Sequence, residues 1–248
     1  MQIAAQLGFL AFLTASLVIG VRLGLLARRT RELPETAMAV AFLCGGFLGY
    51  GSLVAVTVLG AAPPAWRHAI YLVSVVSMAT AAAAVAVFTR RVFRPDARPA
   101  AVLVGAIGCA LATGVVGSAA LPPIEPGVRP TGAAAGLAFW GMTLGTGAAY
   151  LWAAAESGRY AGLLRRRRPL GLGDVRVESR LALWCVGEAA AGGISLLYAG
   201  ARLLELDQRS AELSALSSLL VVASAAASWL AFFPPALYER WLVRQPSA

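Results

Sequence analysis

The stretch AIYLVSVVSMATAAAAVAVF, Ala69–Phe88, runs twenty residues without a charge and is followed at once by Thr89, Arg90 and Arg91. A helix rising about 1.5 Å per residue needs about twenty apolar residues to cross the roughly 30 Å hydrocarbon core of a bilayer. The run therefore has the length of one crossing, and the arginines mark where the chain meets water. Six further runs repeat the pattern: Ile3–Leu26, Ala37–Gly60, Ala100–Leu121, Gly132–Ala155, Leu181–Leu203 and Leu213–Phe233. A proline or a charge cluster punctuates nearly every gap between them.

Composition agrees. Apolar residues make up 59% of the 248, charged residues 13%, and the mean hydropathy is +0.73. A soluble domain carries about a quarter charged residues, so most of this surface is not built for water. Seven crossings leave no room for a soluble domain. The expected fold is all-α, a single seven-helix transmembrane domain over 1–248, with 234–248 as a short cytoplasmic interfacial tail. The first run lacks a basic leader and is longer than a signal-peptide core, so it reads as a retained helix.

All 21 basic residues are arginine. Seventeen fall beside the gaps after runs one, three and five or in the tail, and four fall on the other side. Basic loops resist translocation, so this asymmetry predicts an N-out, C-in chain with its arginines in the cytoplasm. The predicted cytoplasmic loops are Arg28–Glu35, Thr89–Pro99 and Glu156–Arg180. The last includes Arg165–Arg168, read as lying on anionic headgroups. The predicted exterior loops are Pro63–Pro64, Pro122–Pro130 and the acidic Glu205–Glu212. Short arginine runs between apolar stretches do not make a nucleic-acid face. The expected surroundings are a lipid bilayer, most simply the bacterial inner membrane, and a homo-oligomer is compatible with the sequence.

Glu188 is the only acidic residue well inside a predicted span. Burying an ionised carboxylate in hydrocarbon is costly, so it should face the bundle interior, as a proton or ligand site or as a structural carboxyl. Cys185, Glu188, Gly192, Ser195, Ala199 and Arg202 share its helical face. Arg22, at similar depth in the first helix, is a candidate counter-charge. Tyr50 and Tyr198 lie deep enough to line a pocket. Ser214, Ser217, Ser224 and Ser228 in the seventh helix, with Ser74 and Ser77 in the third, could form a polar path, although such hydroxyls ordinarily bond helix backbone. Candidate site residues are thus Glu188, Arg22, Tyr50, Ser195 and Tyr198.

Other chemistry is not expected. Cys44, Cys109 and Cys185 lie in separate apolar runs and form no metal or disulfide pattern. The lone His68 can complete neither a haem nor a zinc site. Covalent retinal needs a lysine, and there is none. Catalytic motifs are absent, so no enzyme and no cofactor is predicted. Trp66, Trp152, Trp184 and Trp241 read as interfacial anchors.

GxxxG spacings at Gly45–Gly49, Gly132–Gly136 and Gly141–Gly145 would let helices approach closely. Leu72–Phe88 aligns without gaps on Leu216–Phe232, matching Ala81–Ala83 to Ala225–Ala227, Thr80 to Ser224 and Phe88 to Phe232. Phe42-Leu43-Cys44 matches Leu183-Trp184-Cys185 more loosely. The pattern suggests parallel copies of three helices with the fourth as linker.

The segment Phe232-Phe233-Pro234-Pro235-Ala236-Leu237-Tyr238-Glu239-Arg240-Trp241 stops the seventh helix and continues as an amphipathic stretch. It resembles the exit from seven-helix membrane sensor modules of bacterial signalling proteins such as some histidine kinases. That resemblance implies a sensor-like or receptor-like bundle. The chain ends within ten residues of Tyr238, so an output domain is expected to be absent and a separate cytoplasmic signalling protein to be the partner. The alternative is a small-solute or proton-coupled transporter with a 3+1+3 arrangement around Glu188. Transport predicts a mid-membrane cavity between helices one to three and five to seven, lined by Glu188. A sensor predicts a closed cytoplasmic side and an exterior pocket bounded by Trp66, His68 and Arg202.

Overall fold

The computed structural model describes residues 2–58, 63–123, 130–208 and 210–244; the side chains of 2–9, 11, 57, 239, 241, 243 and 244 lie outside that description. The Trp241 side chain and parts of the predicted exterior loops Pro122–Pro130 and Glu205–Glu212 fall outside it. Every element among the described residues is helical. In chain order they are α1 (Gln2–Thr30), α2 (33–58), α3 (Pro64–Phe93), α4 (Arg98–Ala119), α5 (Gly132–Arg167), α6 (Val175–Leu203), α7 (Ala211–Phe232) and α8 (Ala236–Arg244). Five are long and apolar enough to cross a membrane: Leu33–Val56 of α2, then α3, α4, α6 and α7. That is the make-up of a multi-pass membrane protein. The stretch of α5 that resembles a span is diluted by glycine, threonine, tyrosine and tryptophan.

Helix starts follow local chemistry. Pro34, Pro64 and Pro99 each occupy a first turn, where the missing N–H has no intrahelical partner to lose. Asp174 caps α6 by accepting the Arg176 amide at 2.8 Å. Ser210 caps α7 by accepting the Leu213 amide at 3.3 Å.

The long loop predicted at Glu156–Arg180 is largely helix. α5 continues to Arg167, a 3-10 turn covers Arg168–Leu170, Gly171 turns the chain at φ +70°, and α6 begins at Val175. Charge ends an apolar run without ending a helix, and here the charges are paired. Glu156 is buried and accepts from Arg94 Nε at 2.7 Å, with Arg159 3.6 Å away. Glu178, also buried, accepts from Arg165 Nε at 2.9 Å. Arg165 is therefore tied to α6 by an ion pair. The Glu156 hydrogen bond holds the Arg94 guanidinium above its ordinary pKa.

Packing traces a ring. α1 packs on α2, α2 on α3, α3 on α5, α5 on α6, α6 on α7, and α7 returns to α1. α4 stands outside, against α3 and α5. Two seams use glycine for close approach. A Cβ at Gly45 would lie 2.7 Å from the Ala81 Cβ and one at Gly49 2.8 Å from Met78, which seats α2 on α3. A Cβ at Gly141 would overlap the Gly114 backbone, and one at Gly114 would lie 2.5 Å from the Met142 nitrogen, which seats α4 on α5. Gly132 and Gly136 face open space, so that predicted GxxxG makes no such seam.

α2 widens to π geometry over Ala41–Tyr50. Such turns loosen the backbone ladder and change the face presented beyond them. At their end Ser74 of α3 donates to the Gly49 carbonyl at 2.7 Å. Tyr50, the last π residue, meets the edge of Phe12 at a centroid distance of 5.3 Å.

Candidate functional site: a cavity with one carboxylate

Inside the ring lies a cavity of about 480 Å³. All six ring helices contribute to its wall, and α4 does not. Along α6 it runs from Trp184 to Tyr198, about 21 Å at helical rise. Of the five candidate residues, Glu188, Tyr50, Ser195 and Tyr198 line it. Arg22 does not. It lies in a second cavity of about 950 Å³ toward the arginine-rich ends of the helices. There its Nη1 is 3.5 Å from the Phe232 carbonyl oxygen and its guanidinium 4.6 Å from the Phe233 ring centroid. The expected Arg22 to Glu188 pairing is therefore not made. Ser16 of α1 lines the inner cavity, whereas Ile19 and Arg22, further along the same helix, line the other one.

Glu188 is 6% exposed, and its Oε2 is buried with no hydrogen-bond partner among the described residues. Among the described residues it is the only acidic or basic side chain on the cavity wall. Beyond it the wall is aromatic and hydroxylic. Tyr50, Tyr150 and Tyr198 come from α2, α5 and α6, and Thr146 and Ser195 share a hydrogen bond at 3.0 Å. Ser217, Ser224 and Ser228 also reach it, so part of the serine stripe on α7 faces inward. Ser74 does not; its hydroxyl is spent on α2. Among the described residues no cluster of three His, Cys, Asp or Glu could hold a metal.

Trp184 was expected as an interfacial anchor because it follows Arg180 closely. Instead it is 7% exposed and forms the cavity floor. Its ring lies 6.1 Å from Phe42, 6.2 Å from Phe88 and 5.9 Å from Phe232, with edge-on geometry throughout. Phe42 faces the inner cavity, Phe88 and Phe232 face the arginine-rich one, and Trp184 borders both. These four rings are the partition between the two spaces. The signal for Trp184 was available, since it precedes Glu188 by four residues and so shares its face. Tyr150 and Thr146 were overlooked for lack of a charge, though they too are four apart.

Against protein families, curated proteins and solved structures, this chain finds no match.

Proposed function

We propose that this protein is a carrier for a small solute, with the Glu188 cavity as its binding site. In this reading α1 and α5 also cross the bilayer, giving seven crossings, with the N-terminus outside and the arginine-rich face in the bacterial cytoplasm. The single observation behind it is the cavity itself, enclosed by α1–α3 and α5–α7 with α4 excluded. That is the partition a 3+1+3 duplication requires. The ring order maps onto itself when α1, α2 and α3 exchange with α5, α6 and α7, because α3 against α5 then exchanges with α7 against α1. Phe88 and Phe232, equivalent in the repeat alignment, both pack on Trp184. Two cavities separated by a thin aromatic partition suit a carrier that opens to one side at a time.

The receptor reading has one observation of its own. Tyr238 on α8 shares a 2.6 Å hydrogen bond with Ser179 of α6, coupling the tail to the helix that carries Glu188.

Accessibility in sealed vesicles separates the two. With the three native cysteines replaced by alanine, Ser195→Cys should react with a membrane-impermeant thiol reagent added to either face. Reaction from the exterior alone fits a receptor pocket and rejects the carrier.

A further inference from the structure

The cavity's polar atoms define what it can hold. Glu188 supplies an acceptor without a donor, and Trp184 supplies a donor without an acceptor: its Nε1 is also buried and unpartnered. Both line the cavity, four residues and hence about 6 Å apart along α6. No Arg, Lys or His lines the wall among the described residues, so an anionic solute would find no counter-charge there. Buried polar groups normally find partners, and two complementary orphans on residues that line one cavity point to an occupant that satisfies both. The rest of the wall is suited to a positive charge. Phe12, Phe42 and the three tyrosines present aromatic rings, whose faces attract cations.

We propose that the solute is a small monovalent organic cation carrying a hydrogen-bond acceptor several ångströms from its charge. The cationic nitrogen sits at the Glu188 carboxylate among the aromatic rings, and the acceptor takes the Trp184 indole N–H. The volume, about 480 Å³, lies within the range of small-molecule sites. The inference rests on the cavity being the solute site, but it does not depend on the solute crossing the membrane.

Three probes test it by calorimetry on the purified, detergent-solubilised protein. Acetylcholine carries both features. Pentyltrimethylammonium keeps the charge and lacks the ester. The uncharged ester with carbon in place of the ammonium nitrogen keeps the acceptor alone. Acetylcholine should bind at least about ten-fold more tightly than the uncharged ester. Glu188→Gln should cut that gap several-fold, leaving what the aromatic rings supply, and Glu188→Asp should keep most of it. Trp184→Phe, which preserves the ring packing, should erase the preference for acetylcholine over pentyltrimethylammonium. Equal binding of the charged and uncharged esters, no binding of either cation, or a gap undiminished by Glu188→Gln in monodisperse protein would each overturn the proposal. Glu188-dependent binding of acetylcholine without passage into vesicles would leave it standing and reject only the carrier.

Discussion

Trp184 and Glu188 stand one turn apart on the same face of α6, and each holds a buried polar atom with no partner among the described residues. The pairing joins two functions in one helix. Among the described residues Glu188 is the only acidic or basic side chain on the wall, and Trp184 closes the floor below it. Movement of α6 that relocated one would relocate the other, so occupancy of the carboxylate and integrity of the partition are mechanically linked.

Trp184→Ala should join the two cavities. Phe42, Phe88 and Phe232 lose their common neighbour, and three phenyl rings cannot fill the volume of an indole. The expected result is an uncoupled leak: vesicles should pass small solutes passively. Trp184→Phe should retain the barrier. A tight Trp184→Ala protein would place the barrier elsewhere.

Glu188 should lower stability for the sake of function. An unpaired buried polar group costs about 1–3 kcal/mol, so Glu188→Met should raise the melting temperature while abolishing cation binding. A structural carboxyl satisfied by neighbours would behave oppositely. Thermal unfolding of the two proteins in the same detergent decides between them, and a fall in melting temperature for Glu188→Met would falsify the assignment.

Much of this architecture was legible because lipid imposes a length on every crossing and water imposes a charge at each end. Glu188 stood out for the same reason, as an expense that hydrocarbon does not permit idly. What sequence could not show was the direction in which neutral residues point. Trp184 lies near Arg180 and looked interfacial, yet the α6 face it shares with Glu188 turns it inward. The end of α5 was misread because Glu156 and Glu178 resemble loop acids until their arginines are seen in space. The π geometry over Ala41–Tyr50 left no trace in composition, though it sets where Tyr50 arrives.

The α4 to α5 seam should be intolerant of a single methyl group. Gly141→Ala and Gly114→Ala would each force the two backbones apart, at about 1–3 kcal/mol for overpacking. Gly136→Ala and Gly105→Ala, with open space at the same atom, should be neutral or slightly stabilising. Melting temperatures across the four variants give the comparison. Equal losses in all four would mean that the glycines act through helix propensity and not through contact.

The ion pair between Arg94 and Glu156 should act as a clasp joining the end of α3 to α5. Its carboxylate side chain is 10% exposed and its guanidinium 39%, so the pair is partly screened and Glu156→Gln should cost about 1–2 kcal/mol, below the value for a fully buried bridge. Arg94→Glu alone should be worse, because it sets two acids together. Joined with Glu156→Arg it should recover part of the loss. A double variant no better than the worse single one would show that geometry, not charge, holds this corner.

Cation binding should fall with pH, and the sign follows from one group. The cation needs the ionised Glu188 carboxylate, and a proton on that oxygen removes both the charge and the room for it. Among the described residues the other titratable groups on the wall are Tyr50, Tyr150 and Tyr198, and tyrosine is neutral throughout the acid range. Affinity for acetylcholine should therefore drop about ten-fold per pH unit once the carboxyl is mostly protonated, while affinity for the uncharged ester stays flat. Within that range each cation bound should release up to one proton, countable by calorimetry in two buffers of different ionisation enthalpy. Such an exchange of proton for cation on a single oxygen would itself provide coupling, because the two occupants cannot share the site. A pH-independent affinity, or proton release that persists in Glu188→Gln, would place the exchange at some other group.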